Sequence, residues 1–329
     1  MKSIMKCIKV SEIGKFSHES MTIPRPGPDD VCIQVEVTGL CRTDLKLIRQ
    51  GHRDLTLPRI PGEEVVGIIV EKGKNVQNFP IGQRVYVYPG MWCEKCDRCK
   101  INAENMCTHM EIMGFHRDGG FAEYVNVPAK TVIPVPDGLH PDHAVFAEPL
   151  SCCLNALELA QISANQRIGI WGAGPAGTLL HRAAKTFNAK PINIDPHPDR
   201  CQRIDGYPEC PDIHFDIAIV AVGDRNAYAS AIKHLNPRGT LVIFSGLQKN
   251  ESIFEIDFND IHYHETRIVG AYGCCFRHGI QALSLLSEKK LPVDDLISHQ
   301  MPLDNLNQGL DIVEKKLGMK VLLYPMQNN

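Results

Sequence analysis

At 329 residues the chain exceeds the size at which one hydrophobic core stops growing, so two domains are expected, each with a core of its own. Apolar residues make up 43% and charged residues 22%, as in ordinary globular proteins, and a net charge of −3 without a basic stripe argues against a nucleic-acid partner. Residues 1–16 carry lysine or glutamate every few positions, too often for a signal peptide or membrane span, so the expected location is the cytoplasm with no membrane partner.

Up to about residue 150 the sequence is punctuated by glycine and proline, with short β-rich runs at 31–37, 65–70 and 84–88. Short strands between turn signals predict a barrel-like, mostly antiparallel domain. Within it lies Cys93-x2-Cys96-x2-Cys99-x7-Cys107, four of the thirteen cysteines crowded into one loop. In a reducing compartment such a cluster reads as metal-binding rather than disulfide-forming. Four thiolates fill a tetrahedral Zn²⁺ and leave no open position, so this zinc is expected to be structural.

After Glu148 the pattern changes. A helix is predicted over 150–160, followed by strand, glycine turn and helix, then by strands at 191–195, 216–222 and 240–244. Strands alternating with helices predict a doubly wound parallel sheet. The turn is Gly172-Ala-Gly174-Pro175-Ala176-Gly177, and the helix after it carries Leu179, Leu180, Ala183, Ala184 and Phe187 at helical spacing. In that context the glycines permit a tight turn, close approach of a pyrophosphate and close helix packing, while the helix N-terminus faces the phosphates. The strand at 191–195 ends in Asp195, placed to accept from a ribose 2′-hydroxyl and to repel a 2′-phosphate, which favours NAD over NADP. Val222 and Gly223, closing strand 216–222, complete the candidate cofactor contacts.

The segment 196–215 has only twenty residues between two predicted strands and holds Pro196, Pro198, Pro208 and Pro211. It leaves room for one short helical turn near 199–204, so the sheet is expected to be pared down after its second strand, with cofactor affinity the first property affected. From about residue 291 the tail turns irregular and ends in an apolar run at 320–324. The expected division is 1–149, 150–290 and a return over 291–329. Adjacent cysteines at 152–153 and 274–275 point in different directions and read as packing residues, and His116, Arg117 and His262 carry less weight than the motifs above.

Several further stretches, read with these motifs, resemble the zinc-containing medium-chain alcohol dehydrogenase family and its polyol and threonine dehydrogenase branch. They are Gly39-Leu-Cys41-Arg-Thr43-Asp44, Pro61-Gly62-Glu63-Glu64-Val65, Gly119-Gly-Phe-Ala-Glu-Tyr124, Ala147-Glu148-Pro149-Leu150 and Phe258-Asn-Asp-Ile-His-Tyr263. The resemblance implies a GroES-like barrel that the C-terminal tail rejoins, a Rossmann domain that binds NAD, and homodimers or homotetramers. It implies that Cys41 and Glu148 are ligands of a catalytic zinc, that Glu64 lies beside the metal, and that Thr43 accepts the substrate's proton.

Two positions depart from the family pattern. The usual Gly-His-Glu reads Gly62-Glu63-Glu64, so Glu63 replaces a histidine ligand, and Lys46 stands where a proton-relaying histidine is usual. Cys41, Glu63 and Glu148 bring three negative charges against the +2 of zinc, which weakens a Lewis acid, and Lys46 is placed to compensate. The expected activity is reversible NAD-linked oxidation of a small polar secondary alcohol. The alternatives are a zinc-free NAD(P)H reductase and a non-catalytic protein derived from a dehydrogenase.

Overall fold

The chain divides into two units, Met1–Glu148 with Cys275–Asn329, and Pro149–Cys274. The computed structural model describes residues 3–248 and 250–326.

The first unit is built on a seven-stranded sheet. Its order runs Ile297–Pro302, Lys320–Tyr324, Asp30–Leu40, Glu64–Lys72, Arg84–Val87 and Val132–Pro134, and Tyr124–Pro128 also pairs with Asp30–Leu40. Only Ile297–Pro302 and Lys320–Tyr324 run parallel; the other pairings are antiparallel, as the turn spacing predicts. Among the described residues no pairing joins the two ends of this path, so the barrel-like expectation is met as an antiparallel sheet and not as a closed ring. One face packs Val31, Ile33, Val35, Val65 and Val85 into an apolar cluster. A second cluster gathers Leu40, Leu47, Ile48, Phe121, Leu306 and Leu323, and so seats the helix Arg42–Gln50 against the sheet.

The chain returns to this unit at Cys275 and not at residue 291. The reason is local: helix Phe276–Ser287 is anchored on the cysteine-rich loop and packs Gly279 so closely on Tyr86 and Ile133 that an added Cβ would meet them at 3.0 and 2.8 Å.

The second unit is a five-stranded parallel sheet in the order Lys190–Ile194, Arg167–Trp171, Phe215–Val220, Leu235–Ile243, Arg267–Gly270. A doubly wound dinucleotide sheet has a third strand outside the second. Here that strand is reduced to one residue, Tyr207, bridged in parallel to Ile194. The connection holds only the five-residue helix Pro198–Gln202, within two residues of where the proline spacing allows one. Helix Pro175–Thr186 buries Leu179, Leu180, Ala183 and Ala184 of the stripe read from its sequence, while Phe187 falls at its C-cap and is only half-buried. No helix among the described residues is long and apolar enough to cross a membrane.

Candidate metal and cofactor sites

The four thiols of Cys93, Cys96, Cys99 and Cys107 lie within 4.8 Å of one another. Sulfur separations are 4.0 Å for Cys93–Cys99, 3.5 Å for Cys96–Cys99 and 3.8 Å for Cys96–Cys107. Thiolates at about 2.3 Å on a tetrahedral Zn²⁺ stand about 3.8 Å apart, so this set fits the ion. Backbone N–H groups hold the Cys93 and Cys96 thiols below their ordinary range, the direction metal binding needs, while burial holds Cys99 above it. The lobe also anchors the returning chain. Glu104 Oε1 accepts from the N–H of Phe276 at 2.8 Å, and the Asn102 carbonyl accepts from Arg277 at 2.6 Å. The Cys275 thiol lies 3.2 Å from Asn105 Oδ1, a packing role in keeping with its reading as a structural cysteine.

Cys41 caps helix Arg42–Gln50: its sulfur accepts from the Asp44 N–H, and the Asp44 carboxylate accepts from the Cys41 N–H at 2.9 Å. Its Sγ lies 4.0 Å from Glu63 Oε1. A thiolate and a carboxylate on one tetrahedral zinc stand about 3.5 Å apart, so this pair is within half an ångström of fitting. Glu148 is buried at the start of helix Ala147–Leu159, but Cys41, Glu63 and Glu148 do not form a set with all ligand atoms within 4.8 Å. Two of the three candidate ligands are thus brought together, and the third is not gathered with them.

Electrostatics here centre on a residue the sequence reading missed. Lys320 Nζ contacts both carboxylate oxygens of Glu64 at 2.6 Å, and the two side chains are only 4% and 1% exposed. Gly39 makes room for this pair, since a Cβ there would lie 1.8 Å from Glu64 Oε2. Burial would lower the Lys320 pKa, but Glu64, Cys41 and Glu148 together hold it above its ordinary value. Burial also lifts Asp44 to about 6 and, with Asp44, Glu64 and Glu63, pushes the Cys41 thiol well up. A buried thiol ringed by carboxylates is chemically suited to a divalent cation, which would offset the crowding of negative charge. Thr43 and Lys46 are exposed and one turn apart on the same helix, so they share a side of it. His116 turns Nδ1 back to its own loop, accepting from the Ile112 N–H at 3.0 Å.

In the second unit Gly172 has φ +119°, a conformation side chains resist, and a Cβ on Gly177 would lie 2.1 Å from the Gly172 carbonyl. Gly174 caps the helix, with Pro175 in its first turn. Asp195 Oδ2 accepts from the Ala173 N–H at 2.7 Å and Oδ1 from the His197 N–H at 3.0 Å. Val222 and Gly223 follow the strand whose end is tied to the glycine-turn strand by Ala221 N–H to Trp171 carbonyl, 2.9 Å. All the predicted cofactor residues therefore gather at the carboxyl ends of adjacent strands where the strand order reverses, which is where doubly wound sheets bind ligands. Arg200 was not foreseen. Its Nη1 lies 4.0 Å from Asp195 and beside Gly174, and the one available signal was a cation five residues beyond the acid.

Residues 27–137 match the model of the alcohol dehydrogenase GroES-like domain. The L-galactonate-5-dehydrogenase of Escherichia coli K12 is 30% identical over 304 residues, 86% of this chain and 88% of that protein. Among solved structures, a protein of Sinorhizobium meliloti 1021 classed as a zinc-binding dehydrogenase and bound to NADP has a TM-score of 0.90 at 30% identity, over 98% of this chain and 100% of the other. The short chain alcohol dehydrogenase rspB of Escherichia coli CFT073, complexed with NADH, has a TM-score of 0.91 at 26% identity, over 98% and 100%.

Proposed function

Because the chain belongs to the zinc-containing medium-chain alcohol dehydrogenase family, we propose that it moves a hydride between NAD(H) and the carbinol carbon of a small polar secondary alcohol, at a second zinc held by Cys41, Glu63 and Glu148. The observation that carries this reading is the Cys41–Glu63 approach of 4.0 Å beside the buried Glu64–Lys320 pair. When bound, zinc supplies a Lewis acid for the alcohol oxygen and NAD supplies the hydride acceptor. Thr43 takes the substrate's proton, Lys46 offsets the charge that Glu63 adds, and Glu64 is held in place by Lys320.

Asp195 supports NAD as the working cofactor, although its carboxylate already accepts from two backbone N–H groups and the solved relatives carry NADP or NADH. The name of the L-galactonate relative supports a polyhydroxylated substrate, a polyol, a sugar or its acid; an amino alcohol is the other small polar class that the family branch admits. We place the enzyme in the cytoplasm as a homodimer or homotetramer. The zinc-free reductase has one observation on its side: Cys41, Glu63 and Glu148 do not form a set with all ligand atoms within 4.8 Å.

Elemental analysis of protein purified without added metal separates the two. Close to two zinc ions per chain, with about one lost in Glu63→Gln and the other lost in Cys96→Ser, supports the proposal; a polyol and sugar-acid screen with NAD then follows. One ion that survives Glu63→Gln refutes the second zinc and leaves the reductase.

A further inference from the structure

We propose that Asn193 and His181 are positioning residues for the cofactor's diphosphate: they clamp the first and third glycines of the turn so that the start of helix Pro175–Thr186 keeps its N–H groups aimed at the phosphates. The inference rests on dinucleotide binding by the second unit and does not depend on a second zinc.

Asn193 lies two residues before Asp195, on a strand whose neighbouring positions are apolar, yet its side chain is completely buried. A buried amide is costly unless its hydrogen-bonding groups are used. Here they are used in a pattern that spans the turn. Nδ2 donates to the Gly172 carbonyl at 2.8 Å and to the Gly177 carbonyl at 3.1 Å, one hydrogen to each. Oδ1 lies 2.7 Å from His181 Nδ1, and His181 is itself buried one turn along the same helix from Gly177. With both amide hydrogens committed to carbonyls, Oδ1 must accept, so His181 carries its proton on Nδ1 and donates.

The groups so fixed are those that meet a diphosphate. The helical ladder opens with Thr178 N–H to Gly174 carbonyl at 2.9 Å, so the Ala176 and Gly177 N–H groups precede it, and Pro175 has none. The Ala173 N–H is taken by Asp195. The donors left for an anion therefore sit on the short arc that Asn193 pins at both ends.

The need for a clamp follows from the sheet. Strand Lys190–Ile194 is its edge, and among the described residues only Tyr207 pairs with it on the outer side, through Tyr207 N–H to Asn193 carbonyl at 2.8 Å and Asp195 N–H to Tyr207 carbonyl at 3.0 Å. Without a full third strand to steady it, the end of this strand is held to the glycine turn from the inner side by the Asn193 side chain.

The test compares ADP with adenosine, which share the nucleoside and differ in the diphosphate, by calorimetry on the full-length protein, with NADH affinity read by fluorescence. In Asn193→Ala, ADP and NADH binding should weaken by about tenfold or more while adenosine stays within about twofold. His181→Leu, which leaves the two carbonyl bonds in place, should give a smaller loss of the same kind, and His181→Gln, which can still donate to Oδ1, should recover most of it. Equal losses for ADP and adenosine, or unchanged ADP binding, would overturn the proposal. If Asn193→Ala does not fold, the His181 pair decides by the same ratio: equal ADP-to-adenosine ratios in His181→Leu and wild type refute it.

Discussion

Replacing Lys320 by methionine removes the cation that touches Glu64, in a site where the pair is only 4% and 1% exposed and the contacts are 2.6 Å. At an effective dielectric of about 20, unit charges at this separation attract by about 6 kcal/mol, and desolvation of the two ions offsets most of that gain. The pair is therefore close to neutral for stability, but breaking it is not. Glu64 would remain buried beside Asp44, Glu63 and Cys41, and an uncompensated buried charge costs about 3–5 kcal/mol. For a domain of this size that corresponds to a fall in melting temperature of about 6–20 °C. Thermal unfolding followed by circular dichroism is the assay, with Glu64→Gln/Lys320→Met alongside the single variant. The double variant should recover most of the loss, because it leaves no orphaned charge. If single and double variants melt together, or the single variant melts within about 2 °C of wild type, then Glu64 is not the charge that Lys320 compensates.

In Cys96→Ser about one zinc ion per chain should be lost, and because Phe276 and Arg277 hang on Glu104 and Asn102 of the same lobe, their amide hydrogens should exchange faster; unchanged exchange would separate the lobe from that anchor. Burial holds His181 down to about 4 from its ordinary 6.5, so between those values the unfolded chain binds a proton that the folded chain refuses. Stability should fall as pH drops through that window, by up to about 3 kcal/mol, and His181→Gln should flatten this part of the profile; a slope identical in the variant would contradict the assignment. Asp195→Ser should shift the NADPH-to-NADH affinity ratio toward NADPH by about tenfold, and an unmoved ratio would remove Asp195 from cofactor choice.

What could be read in advance follows the range of the interactions involved. The glycine turn, its helix and the four-cysteine loop are specified within about a dozen residues each, and the structure places them as their spacing indicates. The paring-down after the second strand was legible too, because four prolines in 196–215 leave room for at most one short helical turn, but the shrinkage of a whole strand to the Tyr207 bridge was not. The return point near Cys275 was not, since helix Phe276–Ser287 has an apolar face that suits either unit, and its assignment depends on contacts with Glu104 and Asn102 more than 170 residues earlier. Lys320 was invisible for the same reason. In sequence it opens an apolar strand, and only the pairing of that strand's Val321 with Leu40 brings it to Glu64, 256 positions away.

The residues that went unforeseen share a position in the electrostatics of their sites. Lys320 answers the carboxylates around Cys41, and Arg200 lies beside the carboxylate of Asp195. Each lies outside the motif it serves, so a motif read alone misses the cations of its site. Glu63 shows the consequence. Counting only Cys41, Glu63 and Glu148 against a divalent ion leaves a surplus of one negative charge, and Lys46 was the one cation in view to balance it. With the Glu64–Lys320 pair in place, Lys320 neutralises the further carboxylate of Glu64 and also lies close enough to Cys41 and Glu148 for both to hold its proton on. Because Glu64 and Lys320 cancel, the surplus of one negative charge stays with the proposed ligands Cys41, Glu63 and Glu148, and Lys320 tempers it only through its nearness to Cys41 and Glu148. On this account Lys46→Ala alone should leave zinc content near that of the wild type, whereas removing Lys320 should affect both the metal and the fold.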